Sequence, residues 1–191
     1  MKIVVMRHGK PQIGLESIKS QTMPSNQLGR IVSEYENTEL DQLEPPSERS
    51  LSIAKECSIS ITSDLPRAKS SAIALGLEKV NQIDSNLRES ALPYLELTFP
   101  KLTFFSWAII FRLAWICGFS KNGESIKEAK SRAKLGAEKL ESLARENSSV
   151  LNIGHGIMNR LIIKELKSKG WKVRECTGEK YWSYTVLINE T

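Results

Sequence analysis

Two short, largely apolar runs stand out in the pattern of the chain: Ile3-Val4-Val5-Met6 and Val150-Leu151-Asn152-Ile153. Runs this short, rich in β-branched residues and closed by glycine, predict strands buried on both faces, as at the centre of a parallel sheet. Residues 10–24 have no period and predict a loop. Leu28, Ile31, Val32 and Tyr35 then recur at helical spacing behind Ser25, predicting a helix capped by Ser25 that runs to about Asn37. A turn-rich break at 41–46 precedes a helical stretch over 48–55. Ser58 to Thr62 alternates as a strand does. Asp64 predicts the cap of the next helix, with Pro66 harmless in its first turn and Gly76 at its end. A short strand is expected near 80–83.

In the second half, Ser125 and Glu128 form a capping-box pattern that opens a long helix. Ile126, Ala129, Ala133, Ala137, Leu140 and Ala144 make its inner stripe, and Glu128–Arg132 and Glu141–Arg145 are expected as outward i,i+4 pairs. A strand at 149–153, a helix from 157 to 169 stopped by Gly170, and a strand over 181–188 complete the pattern. With no repeat or linker, this order predicts one domain over 1–191. Its class is α/β, a three-layer α/β/α sandwich with a mostly parallel sheet.

The stretch 102–119 is the most apolar in the chain. A membrane-spanning helix wants about 20 residues without a central charge, and Arg112 sits well inside this run. A crossing here would also separate residues that, as argued below, need one pocket. An apolar cap insertion over about 90–125 is the expectation, with a buried core helix, a homodimer face or an interfacial helix as alternatives.

Composition changes this picture little. Apolar residues are 40% and charged residues 26% of 191, which excludes a disordered chain and a charge-rich coiled coil. Cys57, Cys117 and Cys176 are scattered and odd in number, so a reducing, cytoplasmic setting is expected. The opening apolar run is too short for a signal peptide's core. The net charge of +5 suits an anionic partner. Without aromatic-basic interleaving, nucleic acid is not that partner, and membrane contact is not expected.

Only two histidines occur, and each directly follows one of the two predicted central strands: His8 in Arg7-His8-Gly9 and His155 in Gly154-His155-Gly156. Ligands of open α/β sheets bind beyond the carboxyl ends of such strands, so both rings are expected in one crevice. Phosphoryl transfer needs cations around the non-bridging oxygens, a nucleophile and an acid for the leaving oxygen. Arg7 and Arg67 offer planar forks suited to phosphate, His8 can attack through a neutral ring nitrogen, His155 can donate to the phosphate, and Glu89 can supply the proton.

These segments, with Thr62 to Ala72, Leu87-Arg88-Glu89, and Gly123-Glu124-Ser125 followed by Arg132, resemble the histidine phosphatase superfamily, also called phosphoglycerate mutase-like. The resemblance implies a transient phosphohistidine on His8. It implies phosphate held by Arg7, Arg67 and His155, Glu89 as the acid, and no metal or other cofactor. A phosphorylated small molecule or phosphoprotein is the implied substrate. Mutases of the family usually follow Arg-His-Gly with an acidic or small residue, Ser or Thr, and then Asn; Lys10-Pro11-Gln12-Ile13-Gly14 departs from this. A metal-independent phosphatase acting on a phosphomonoester or phosphohistidine is therefore expected first. A phosphomutase and a non-catalytic phospho-ligand-binding protein are the alternatives.

Overall fold

The computed structural model describes residues 1–13 and 18–190; residues 14–17 of the expected 10–24 loop, Gly14 among them, lie outside the described residues. In chain order the elements are β1 (Lys2–Arg7), β2 (Thr22–Pro24), α1 (Asn26–Glu36), α2 (Glu48–Lys55), β3 (Ile59–Thr62), α3 (Pro66–Ala74), β4 (Gln82–Ile83), a 3-10 turn (Ser85–Leu87), β5 (Lys101–Thr103), α4 (Phe104–Ile116), α5 (Ile126–Asn147), β6 (Ser149–Gly154), α6 (Gly156–Ser168), β7 (Lys172–Cys176) and β8 (Tyr184–Ile188). Six strands form one sheet in the order β4-β3-β6-β1-β8-β7. The first four are parallel, and β8 runs against β1 and β7.

The unalternating run in β1 is explained by two cores. Ile3 and Val5 pack with Leu140, Ala137 and Ile162 from α5 and α6. Val4 and Met6 point the other way, to Ile53 of α2 and Ala72 of α3. Successive strand side chains take opposite faces, so a strand covered on both must be apolar throughout. The alanines of α5 (Ala129, Ala133, Ala137, Ala144) are fully buried and let that helix lie close to its neighbours.

A third core forms away from the sheet's two faces. Phe104, Trp107 and Phe111 of α4 pack with Met23 and Leu28, and β2 pairs antiparallel with β5. The apolar stretch 102–119 therefore shares its core with residues 18–36. No helix among the described residues is long and apolar enough to cross a membrane.

Several local expectations are corrected. Ser25 does not cap α1, because its hydroxyl donates to the Leu95 carbonyl at 2.6 Å. Asp64 does not cap α3, since Leu65 holds the cap position and the Asp64 carboxylate is drawn to Arg88. The pairs Glu128–Arg132 and Glu141–Arg145 do not form. Glu128 is engaged by the capping box of Ser125, Arg132 by Glu124, and Glu141 by Lys169. Strands β2, β5 and β7 were not expected, and the last strand starts at Tyr184 rather than at Tyr181.

Candidate active site

Three adjacent parallel strands end side by side. Arg7 stands opposite Gly154 across β1 and β6, and Thr62 opposite Ile153 across β3 and β6. The next residue of each strand is His8, His155 or Ser63, so the sheet register alone gathers these three side chains. The His8 amide donates to the Gly154 carbonyl at 3.0 Å, extending the ladder one step into the site. Gly9 follows because nothing larger fits: a Cβ there would lie 2.2 Å from Trp182 and 2.5 Å from Leu40.

The hydrogen-bond network assigns the protons of both rings. His8 Nδ1 lies 2.6 Å from the Gly9 carbonyl, which can only accept, so Nδ1 carries the proton and Nε2 keeps its lone pair. Arg67 Nε donates toward that lone pair at 3.3 Å. His155 Nε2 lies 2.7 Å from the Ser63 hydroxyl, whose oxygen also accepts from the Leu65 amide. Among the described residues the hydroxyl has no other acceptor, so its proton goes to Nε2 and His155 Nδ1 carries a proton. That Nδ1 is buried and has no partner among the described residues, and the same holds for Arg7 Nε. The two rings are 5.0 Å apart.

Burial, and then the Arg67 cation, hold His8 well below the usual histidine range. Burial and the neighbouring His8, Arg67 and Arg7 do the same for His155. Both rings are neutral at pH 7.

Each guanidinium is braced by a tyrosine. Arg67, 1% exposed, lies 4.7 Å over the Tyr35 ring and donates to the Tyr35 and Glu36 carbonyls. Arg7 lies 4.4 Å over the Tyr181 ring and donates to the Glu179 carbonyl at 2.6 Å. Tyr181 also stands 5.7 Å from the His8 ring. Stacking and carbonyl bonds fix both forks without neutralising them.

Glu89 has two duties. Its carboxylate lines the pocket above the strand ends, and it accepts from the amides of Ile157, Met158 and Ser90 at 3.0–3.2 Å. His155 occupies the cap position of α6 without capping it, so Glu89 acts as the borrowed cap. A Cβ at Gly156 would only reach ordinary van der Waals contact with Glu89 Oε2, at 3.5 Å, and Arg7 Nε, at 3.7 Å. Arg132 secures the loop behind Glu89. It holds Glu124 through two bonds, at 2.5 and 2.9 Å, and donates to the carbonyls of Asn86, Arg88 and Glu89.

A pocket of about 370 Å³ opens over this floor. Arg7, Arg67 and Glu89 line its base, while α1 and α4 supply the wall through residues such as Val32, Tyr35, Phe104 and Ile109. The other carboxylates near Glu89 in sequence do not reach it: Asp84 caps the 3-10 turn and Glu96 is exposed.

All five residues singled out from sequence thus converge: Arg7, His8, Arg67, Glu89 and His155. A family model described as the histidine phosphatase superfamily (branch 1) matches residues 3–187. The chain belongs to this superfamily. Among solved structures, an open reading frame product of Mycobacterium tuberculosis superposes with a TM-score of 0.63 at 18% identity, over 99% of this chain and 91% of that one. A mycobacterial glucosyl-3-phosphoglycerate phosphatase gives 0.58 at 22% identity, over 98% and 92%. A phosphoserine phosphatase from Entamoeba histolytica gives 0.57 at 17%, over 98% and 90%. No curated protein matches at a significant level.

Within this histidine phosphatase fold, sequence reasoning missed Ser63, Tyr35, Tyr181 and Arg112. Ser63 directly follows the strand expected over 58–62, a position that could have flagged it as it flagged the histidines. The tyrosines carried no such signal, since each reaches the site from a distant element. Arg112 was visible only as the charge interrupting an apolar run. It lines the pocket, lies 4.8 Å over Trp115 and donates to Ser90.

Proposed function

We propose that this chain is a phosphomonoester hydrolase that passes the phosphoryl group through His8 without a metal ion. The observation that carries the reading is the fixed tautomer of His8. Its lone pair on Nε2 is held among Arg67 and two N–H donors that have no partner among the described residues, Arg7 Nε and His155 Nδ1. A phosphate bound there receives donors on its non-bridging oxygens and faces a neutral, desolvated nucleophile.

In the first step His8 Nε2 forms a bond to phosphorus while the bond to the ester oxygen breaks. Glu89, protonated, gives its proton to the departing oxygen, so an alcohol leaves. In the second step water attacks phosphorus, Glu89 takes its proton, and the P–N bond returns its electron pair to His8. The two guanidiniums supply the charge compensation that a divalent ion supplies elsewhere. Superfamily membership and the fold shared with proteins named as phosphatases support hydrolysis in general. The free thiols of Cys57, Cys117 and Cys176 fit a reducing compartment such as the cytoplasm.

Rapid quenching at neutral or alkaline pH with phosphorus-labelled p-nitrophenyl phosphate is expected to leave label on His8. Activity should survive EDTA and vanish in His8→Ala. Wild-type turnover in His8→Ala, or activity abolished by EDTA and restored by a divalent metal, overturns the reading.

A further inference from the structure

The wall of the pocket differs in kind from its floor. Ile31, Val32, Leu92, Phe104, Ala108 and Ile109 present hydrocarbon above the phosphate-binding groups. Of the polar side chains on the same wall, Arg112, Ser90 and Tyr35 are engaged and only the Glu36 carboxylate, among the described residues, has no hydrogen-bond or ion-pair partner. Arg112 is stacked on Trp115 and donates to Ser90, and Tyr35 stacks on Arg67. A polyol entering here would lose water from its hydroxyls and find few unengaged partners, a cost of the unsatisfied-polar kind. An apolar alcohol would gain from the same wall.

The hydrocarbon does not stop at the rim. Ile109 lines the pocket and is also 45% exposed, and it belongs to a stripe along α4 with Phe105, Leu113 and Ile116, all exposed. Between Leu97 and Gly123 the only charged residues are Lys101, Arg112 and Lys121, all cationic. An apolar path therefore leads from the phosphate site to the outside of α4.

We propose that the substrate is the phosphate monoester of an apolar alcohol, whose tail lies along α1 and α4 and leaves past Ile109. This rests on the phosphatase reading above and names the leaving group for that same site. The tail can belong to a soluble amphiphile or to a lipid, and the chemistry at the wall is shared.

A homologous series of alkyl phosphates, ethyl to octyl, each below its micellar concentration, tests it. Burial of each methylene should raise kcat/KM about fourfold from ethyl to hexyl. Glycerol 3-phosphate and glucose 6-phosphate should fall below hexyl phosphate. In Ile109→Asp, octyl phosphate should lose at least about tenfold more than ethyl phosphate does, the ethyl arm reporting on folding. The wild-type series decides the matter even if that variant fails to fold. Phosphatidic acid in phosphatidylcholine vesicles separates the sources: turnover with co-flotation assigns a lipid, and turnover of the monomeric esters alone assigns a soluble amphiphile. A flat alkyl series, or a preference for the sugar phosphate, overturns the inference while p-nitrophenyl phosphate hydrolysis through His8 still stands. Loss of that hydrolysis in the wild type would overturn the phosphatase reading instead.

Discussion

The floor and the wall of the pocket are built by opposite means. The floor is the carboxyl end of β1, β3 and β6, where main-chain register places His8, His155 and Ser63, and where Arg67 and Glu89 are tied in by carbonyls and amides. The wall is made by α1 and α4, packed through a separate apolar core that touches the sheet little. A rigid floor fixes the reaction, and the apolar side chains of a wall with its own core can change with little effect on it, whereas Tyr35 and Arg112 of the wall also brace the floor. Substitutions in the floor should therefore lower turnover of every substrate, whereas those of the wall's apolar side chains should change the ranking of substrates.

The largest effect is expected at Arg67. Arg67→Lys keeps the charge but loses the stack on Tyr35 and the paired donors to the α1 carbonyls. Turnover should fall on the order of a hundred- to a thousandfold for aryl and alkyl phosphates alike. A loss confined to one substrate type would erase the distinction between floor and wall. Next comes Glu89→Gln, whose amide oxygen can still accept from the α6 amides. Alkyl phosphates should slow about a hundredfold and p-nitrophenyl phosphate, with its good leaving group, far less. Equal losses would make Glu89 a cap and positioning residue only.

Arg132→Ala sharpens the comparison from beneath the floor. It strands Glu124 and three carbonyls of the Glu89 loop, so stability should drop by about 2–3 kcal/mol in urea titrations. Turnover should fall roughly tenfold with KM little changed, because Glu89 loses its support rather than its chemistry. The smallest effect concerns pH. Folding lowers the pKa of His8 and His155 below the unfolded value, so the unfolded chain takes up protons first as pH falls through about 6.5. Stability is therefore intact above that pH and declines below it, by about 1.4 kcal/mol per pH unit for each ring, until the folded-state pKa is reached. His155→Gln should show a shallower decline between pH 7 and 5.5; an unchanged slope would place the acid sensitivity elsewhere.

The same contrast governs what the sequence discloses. His8 and His155 were legible because a strand end is a local pattern, an apolar run followed at once by a polar residue, and the topology of a parallel sheet brings such ends together. Glu89 and Arg67 were legible by order and resemblance. The borrowed-cap role of Glu89 was not, since it is separated from the amides it caps by 68 and 69 residues in the chain. β2 and β5 escaped because each is three residues long and finds its partner from far away. The missing cap at Asp64 and the missing i,i+4 pairs share one cause. Asp64 found Arg88, Arg132 found Glu124 and Glu141 found Lys169, each with better geometry than the helical neighbour offered, while Glu128 stayed in the capping box of Ser125.

The short, unexpected strand β7 carries a consequence of another sort. A sheet's outermost strands expose unpaired amides and carbonyls on which a neighbouring molecule can template itself. Here one border, β4, is only two residues long. The other, β7, bears Lys172, Arg174 and Glu175 and breaks its register between Val173 and Glu175. Neither border offers a long flat ladder to a second molecule, which guards the concentrated protein against edge-to-edge polymerisation. Replacing Lys172 and Arg174 with threonine would remove that guard and should favour fibril-like association long before the fold itself is lost.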